Sequence, residues 1–424
     1  MTDPISQLGD QADHGEPVSP QPHLSTVVAG GPGTAIIERS HTIKVWLMTA
    51  VLAVLPPIGL INGPIYAGLI FGLAGVCLLL GFVMEHRAPT IQRRSLILAG
   101  LFCTFCWASS LWSIDPHHSR AAALQMTAIL AAVFALWGSA PVLTKDESVR
   151  LGWIMGAMIA VAAAYLALDL CLNYRISISL GLARNGTKYN RGLIHDLLLT
   201  WPLLAWYRPQ RRQMLMLGGV VTVMVMIGPS ATAKTAFLGA LVVLLTALVL
   251  PRLCETALAM GTLLIAASLP FALRLVEVHR AELGDYIKFS ALHRLELWDY
   301  MSSRVLEHPW LGWGLSSASR LTINPAELQS YLWAKVSNYP HNQFLQLWVE
   351  TGAVGVALAL TGLMVGLFAI RRLSTPVRPF AYAGYAMALI VALADFEFTT
   401  DSWMAALAAM VLLFKTFDRV RQER

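Results

Sequence analysis

The chain has 424 residues, 56% of them hydrophobic and 13% charged, with a formal net charge of +6. Its mean hydropathy is +0.59, and a soluble domain carries about 25% charged residues, so an ordinary water-soluble fold is excluded. The basic residues sit in short loops, with no basic helix or aromatic-interleaved patch of the kind that binds nucleic acid.

Residues 1–40 are polar, rich in Pro and Gly, and carry Asp3, Asp10, Asp13 and Glu16. They read as a disordered cytoplasmic tail. A cleavable signal would start basic and turn apolar within a few residues. Apolar runs of about 20 residues then follow, each long enough to cross a bilayer as a helix. The backbone there must be helical, because an unpaired amide in hydrocarbon costs several kcal/mol. The pattern predicts an all-α polytopic membrane protein of about twelve spans: 43–62, 64–83, 95–113, 120–139, 151–171, 191–207, 213–228, 235–250, 257–276, 344–370, 379–396 and 402–416. Spans one to nine fall in 41–276 and spans ten to twelve in 344–416, with a short tail, 417–424. The cysteines lie in or beside apolar runs and read as packed thiols, Cys103 and Cys106 included.

Every second loop is basic: Arg87/Arg93/Arg94, Lys145/Arg150, Arg208/Arg211/Arg212, Arg252 and Arg371/Arg372/Arg378. The positive-inside rule makes that side, and both termini, cytoplasmic. The one large loop, 277–343, then faces outward. In it, Ser290 is placed to cap a helix with an apolar stripe at Leu292, Leu295, Trp298, Met301 and Val305. Gly312 and Gly314 form a turn after Pro309, and Asn324-Pro325 starts a second short helix through Val336. The loop is expected to be an ordered helical lid.

Ionisable groups near the bilayer are costly, about 2.5–3.5 kcal/mol each at its centre, so they are functional candidates. Arg184, Lys188, Arg191, His195 and Asp196 surround the start of span six, Lys234 opens span eight, and Arg294 lies on the lid helix. His341 and Glu350 stand at the start of span ten. Outward arginines run against the positive-inside bias and suit a diphosphate, whose oxygens a guanidinium grips bidentately. The structural alternatives are internal pairs: Arg191 with Asp196 or Asp169, Arg294 with Glu307 or Glu327, and Glu350 with a cation in the bundle. His341 is either a headgroup-facing helix cap or a base near neutral pH. Gly352 and Gly355 are read as letting helices pack closely just below it. No metal-ligand set emerges: Asn62-Gly63-Pro64 holds no carboxylate, and His117 and His118 lack ligand spacing.

At these residues the chain resembles the O-antigen ligase (WaaL/Wzy_C-type) family. The pattern His341-Asn342, then Gly352 and Gly355, is similar to the family's signature. So are Leu111-Trp-Ser-Ile-Asp-Pro116, Asn190-Arg191, and Arg294-Leu-Glu-Leu-Trp298 leading to His308-Pro-Trp-Leu-Gly-Trp-Gly314. The resemblance implies a C-type glycosyltransferase fold and an inverting reaction without metal, nucleotide or other cofactor. It implies transfer of a glycan from undecaprenyl diphosphate, at the periplasmic face of the bacterial inner membrane, to lipid A-core in lipopolysaccharide synthesis. It makes His341 the base and Arg191 and Arg294 diphosphate contacts. Lys234 and Arg184 join the donor site on topology alone, and Asn342, Glu350, Asp196, Gly352 and Gly355 support it.

An O-antigen or exopolysaccharide polymerase would share donor and fold and differ in taking a growing glycan as acceptor. A twelve-span transporter is the reading from another class. It predicts paired repeats and a midplane site, whereas the two halves show no similarity and the polar residues crowd one face.

Overall fold

The computed structural model describes residues 32–182, 184, 186–278, 289–321 and 339–422. Every described element is helical: α1 (Pro32–Ile61), α2 (Gly63–Val83), α3 (Arg93–Ala108), α4 (Pro116–Ser139), α5 (Lys145–Cys171), the short α6 (Arg175–Ser179), α7 (Tyr189–Tyr207), α8 (Arg211–Ile227), α9 (Ala231–Val249) and α10 (Pro251–Val278). They continue with α11 (Phe289–Glu307), α12 (Gln343–Ala369), α13 (Arg378–Ala394) and α14 (Asp401–Gln422). The all-α polytopic class expected from composition is the class observed.

Local chemistry sets the helix starts. The side chains of Asn62, Asp115, Ser230 and Asn342 each accept a backbone N–H of the following first turn, and Thr144 with Glu147 closes a capping box before α5. Pro lies in the first turn of α2 and α4, where its missing N–H costs nothing.

Among the described residues, eight helices are long and apolar enough to cross a membrane, and α13 is a shorter apolar one. The segments expected as spans six, seven and twelve are α7, α8 and α14, which fall outside those eight. For α7 the reason is its position. It packs on α1, α5, α8, α9, α13 and α14, and every residue from Gly192 to Tyr207 is buried. A helix shielded by protein on all sides can carry His195, Asp196 and Thr200. It meets α1 closely, since a Cβ on Gly192 would lie 2.2 Å from the Gly59 carbonyl oxygen. The outer helices instead expose apolar side chains, such as Trp46 (66%), Val242 (63%) and Leu264 (66%), a surface that suits lipid and not water.

The two loop sets separate to opposite ends of the bundle. At one end Lys44 pairs with Glu85 at 2.7 Å, Arg208 donates to the Pro376 carbonyl and Arg421 to Ala205 and Trp206 carbonyls. At the other, Trp112 donates to Leu311, Arg320 approaches Asp115, Gln125 donates to Thr399 and Arg191 reaches Tyr339.

Two boundaries differ from expectation. Residues 32–40, expected in the tail, are the start of α1; residues 1–31 lie outside the described residues. Ser290 sits inside α11, which is described from Phe289, so it does not precede the helix as a cap would. The proposed second lid helix from Asn324 to Val336 lies outside the described residues.

The buried face of α11 is also rotated from the expected stripe. Leu297, Tyr300, Met301 and Val305 pack on Leu345 and Val349 of α12, whereas Leu292, Leu295 and Trp298 are half-buried. Met301 and Val305 belong to both readings. The rotation follows from α11 meeting two partners, α10 and α12, which a single apolar stripe does not encode.

Candidate functional site

The site forms where α11, the strand of chain before α12, the start of α7 and the α13–α14 turn meet. Asn342 caps α12 through its side chain, accepting the Leu345 N–H at 3.1 Å. His341 therefore does not act as the cap. It stands just before it with φ +53°, a left-handed conformation that His tolerates better than most residues. Its ring lies 4.3 Å from that of Tyr339. The Trp298 indole N–H donates to the Pro340 carbonyl at 2.6 Å, so the lid helix holds the chain on which His341 stands. The ring is half-buried, and its Nδ1 is buried without a hydrogen-bond partner among the described residues.

Charge converges on this imidazole. Burial pushes its pKa below the ordinary value, and Arg294, His293 and Arg191 push the same way while Asp395 opposes them. The ring is thus held neutral at neutral pH, with a lone pair available. Arg191 and Arg294, about 100 positions apart in sequence, both act on one ring. Arg191 donates to the Tyr339 hydroxyl at 3.3 Å and lies over the Phe396 ring, 5.3 Å from its centroid.

Among the described residues, the internal pairs read as alternatives are not formed. Asp169 instead accepts from the Ser177 hydroxyl and backbone and from the Tyr189 hydroxyl, and meets Lys188 at 3.4 Å. The Asp196 carboxylate is buried with no hydrogen-bond partner among the described residues. Glu307 pairs with Arg304 at 2.6 Å, and Glu327 lies outside the described residues. Glu350 is also corrected: no cation meets it among the described residues. Its carboxylate accepts the Ser316 N–H at 2.8 Å and the Gln346 side-chain amide at 3.1 Å.

That arrangement follows from a break in α12. Gly352 has φ +60° and ψ −166°, a conformation essentially reserved for glycine. The segment 309–314 enters the break and takes over its backbone groups. Trp313 and Gly314 N–H donate to the Val349 and Glu350 carbonyls, while Ala353 and Val354 N–H donate to Pro309 and Trp310. A Cβ on Gly312 would fall 2.5 Å from the Glu350 backbone carbon. Gly312 and Gly352 thus interlock the lid with α12, which for Gly352 replaces the reading of a helix–helix packing notch. Gly355 lies one turn on, against Thr351 and Phe105.

Arg184 and Lys234 do not contact the His341 cluster among the described residues. Arg184 is exposed in the loop before α7, and Lys234 is half-buried in the first turn of α9. Their segments adjoin where Gly186 approaches Pro229. His118 hydrogen-bonds Asp115 at 2.7 Å and Arg320 at 2.6 Å. Sequence reasoning missed His293, the Tyr339 hydroxyl, the Trp298 anchor and Phe396. The acid–aromatic–acid run Asp395-Phe396-Glu397 was the only local signal for the last of these.

Comparison with known proteins comes to the same region. Residues 193–360 match the Wzy_C family, described as O-Antigen ligase. That stretch holds His341, Asn342, Arg294, Gly352 and Gly355 and begins two residues after Arg191. A protein of Rickettsia conorii (strain ATCC VR-613 / Malish 7) is 23% identical over 351 residues, 78% of this chain and 83% of the relative. One of Rickettsia felis (strain ATCC VR-1525 / URRWXCal2) is 23% identical over 329 residues, 74% of this chain and 78% of the relative. Both carry the name "Putative polysaccharide ligase". The likeness to the O-antigen ligase family is thereby shown over residues 193–360, and the likeness to proteins named polysaccharide ligase extends over about three-quarters of the chain.

Proposed function

We propose that the chain is a membrane glycosyltransferase of the O-antigen ligase type. It moves a glycan from undecaprenyl diphosphate to an acceptor hydroxyl, lipid A-core being the acceptor the family points to. The observation that carries this is that helices bearing Arg191 and Arg294 converge on His341: Arg191 donates to Tyr339, whose ring lies 4.3 Å from the imidazole, and the helix of Arg294 is tied through Trp298 to Pro340. The end of the bundle that holds them is the one whose loops lack the basic excess, which makes it periplasmic in the inner membrane with both termini cytoplasmic.

The acceptor oxygen attacks the anomeric carbon as the bond from that carbon to the phosphate oxygen breaks. The electron pair leaves with the diphosphate, and His341 takes the hydroxyl proton. Arg191 and Arg294 stabilise the charge that builds on the phosphate oxygens. Attack opposite the leaving group inverts the anomeric centre. Arg184 and Lys234 add positive charge toward the same end, and Asn342, Glu350, Gly352 and Gly355 hold the loop and the interlock behind His341. Asp196 sits one turn below Arg191 inside the bundle. The polyprenyl tail stays in lipid between helices.

The test is reconstitution of the full chain in detergent with a polyprenyl-diphosphate glycan and lipid A-core, with EDTA in a parallel reaction. Transfer to lipid A-core in both reactions is the expected result. Extension of the donor-linked glycan with lipid A-core left untouched identifies a polymerase. No consumption of the donor in either case refutes the reading.

Replacing Arg191 or Arg294 by Lys keeps the charge and removes the planar fork. We expect transfer to fall by about tenfold for each, the worth of one charge-assisted hydrogen bond. Steady-state rates at saturating acceptor check this, and unchanged rates for both variants would remove the arginines from the donor site.

A further inference from the structure

Arg191 is exposed at the start of α7, yet among the described residues no carboxylate comes within ion-pair distance of it. Two contacts hold its guanidinium: the Tyr339 hydroxyl at 3.3 Å and the Phe396 ring at 5.3 Å. Phe396 is fully buried in the turn between α13 and α14, with φ +27°. Its ring stacks with Trp403, centroids 4.9 Å apart and planes 16° apart. It also stacks with His195 at 5.6 Å and 27°, and His195 in turn lies 4.7 Å from Tyr66. Side chains from α2, α7, the turn and α14 thus form one aromatic column, and Arg191 rests on the member nearest the site.

The kind of contact matters for what the guanidinium can still do. A carboxylate partner would occupy the N–H donors in the guanidinium plane, the same donors that grip phosphate oxygens bidentately. An aromatic ring attracts the cation through its negative face and competes for none of those donors. Asp395 and Glu397 flank Phe396 in sequence and contribute long-range charge without taking the fork: Arg191 acts electrostatically on Glu397, and Asp395 on His341.

We propose that Phe396 is the positioning residue for Arg191, holding the guanidinium by a cation–π contact so that its N–H fork stays open toward the donor diphosphate beside His341. The proposal rests on the donor reading given above. It adds that the α13–α14 turn, outside the region matched to the family, contributes to donor affinity without touching the donor.

The experiment replaces Phe396 by phenylalanines carrying one, two and three ring fluorines, which weaken the negative face while keeping the ring's shape. The full chain is studied in detergent, with undecaprenyl diphosphate as the binding probe and phenylglyoxal labelling of Arg191 followed by mass spectrometry. The dissociation constant is expected to rise stepwise, by about two- to tenfold across the series, and Arg191 labelling to quicken in parallel. In an Arg191→Ala background the affinity series should be flat. Unchanged affinity and labelling across the series, or an equal slope after Arg191→Ala, overturns the proposal. If the unsubstituted protein fails to bind the probe, the donor reading falls. The labelling series still decides whether Phe396 holds Arg191.

Discussion

Replacing His341 by alanine is expected to lower glycan transfer by about 10²- to 10⁴-fold, the range for losing a positioned general base, with the protein still inserted and folded. The ring is half-buried and its Nδ1 has no hydrogen-bond partner among the described residues, so truncation breaks no bond at that atom. Alanine is strained at φ +53°, so His341→Asn is the companion variant: asparagine tolerates the left-handed region and is not a base. Both variants should lose transfer, and His341→Asn should keep the wild-type unfolding temperature. Wild-type transfer rates by either well-inserted variant would remove the imidazole from the chemistry.

The same residue sets a pH dependence. A base works only unprotonated, so kcat/KM falls as pH drops through its pKa. Burial together with Arg294, His293 and Arg191 holds that pKa down, so the acid limb should lie below the ordinary imidazole value of about 6.5. The neighbours predict the direction of further shifts. Removing the charge in Arg294→Gln moves the limb up, because a repelling cation is gone. Asp395→Asn moves it down, because the opposing carboxylate is gone. A profile indifferent to both changes would mean that another group carries the titration.

Substituting Gly352 by alanine or valine is expected to be the most damaging change that touches no charged group. The backbone conformation alone costs about 1–3 kcal/mol for a residue with a Cβ. The added Cβ would also lie 2.4 Å from the Trp310 carbonyl carbon, 2.5 Å from its oxygen and 2.6 Å from the Leu311 nitrogen. These are backbone atoms, so no side-chain rotation relieves the overlap. The 309–314 segment must leave the break, and with it go the N–H groups that satisfy the Val349 and Glu350 carbonyls. Gly355→Ala avoids the cost of a positive φ, but a Cβ there would lie 2.2 Å from the Thr351 Cβ, which no rotamer moves, so it too should destabilise, by less than Gly352→Ala. Gly366→Ala has nothing within 4 Å and should be neutral or slightly stabilising. Thermal unfolding in detergent ranks the three. Equal unfolding temperatures would show that the interlock does not hold the lid.

Much of the architecture was legible in the chain because it is written locally. Runs of apolar residues specify spanning helices through the cost of bare amides in hydrocarbon. Caps such as Asn62, Asp115 and Asn342 mark where those helices begin, since a short polar side chain can close a first turn wherever it occurs. The alternation of basic and other loops separated the two ends of the bundle, and the His341 motif pointed to the family. The first element shows the limit of that reading: α1 starts at Pro32, inside a stretch whose polar composition suggested a tail.

Composition and spacing by themselves determined the class of the molecule and singled out candidate residues toward one end of the bundle. Only tertiary packing decided which of them meet: Arg191 and Arg294 at His341, Arg184 and Lys234 elsewhere, Glu350 with backbone and amide donors in place of a cation. The same holds for Gly352, whose value lies in a segment some forty residues upstream, and for Phe396, about two hundred residues from the arginine it supports. A local pattern records periodicity and turn chemistry, whereas the approach of distant side chains is set by how the helices pack and where an α-helix is broken to admit another part of the chain.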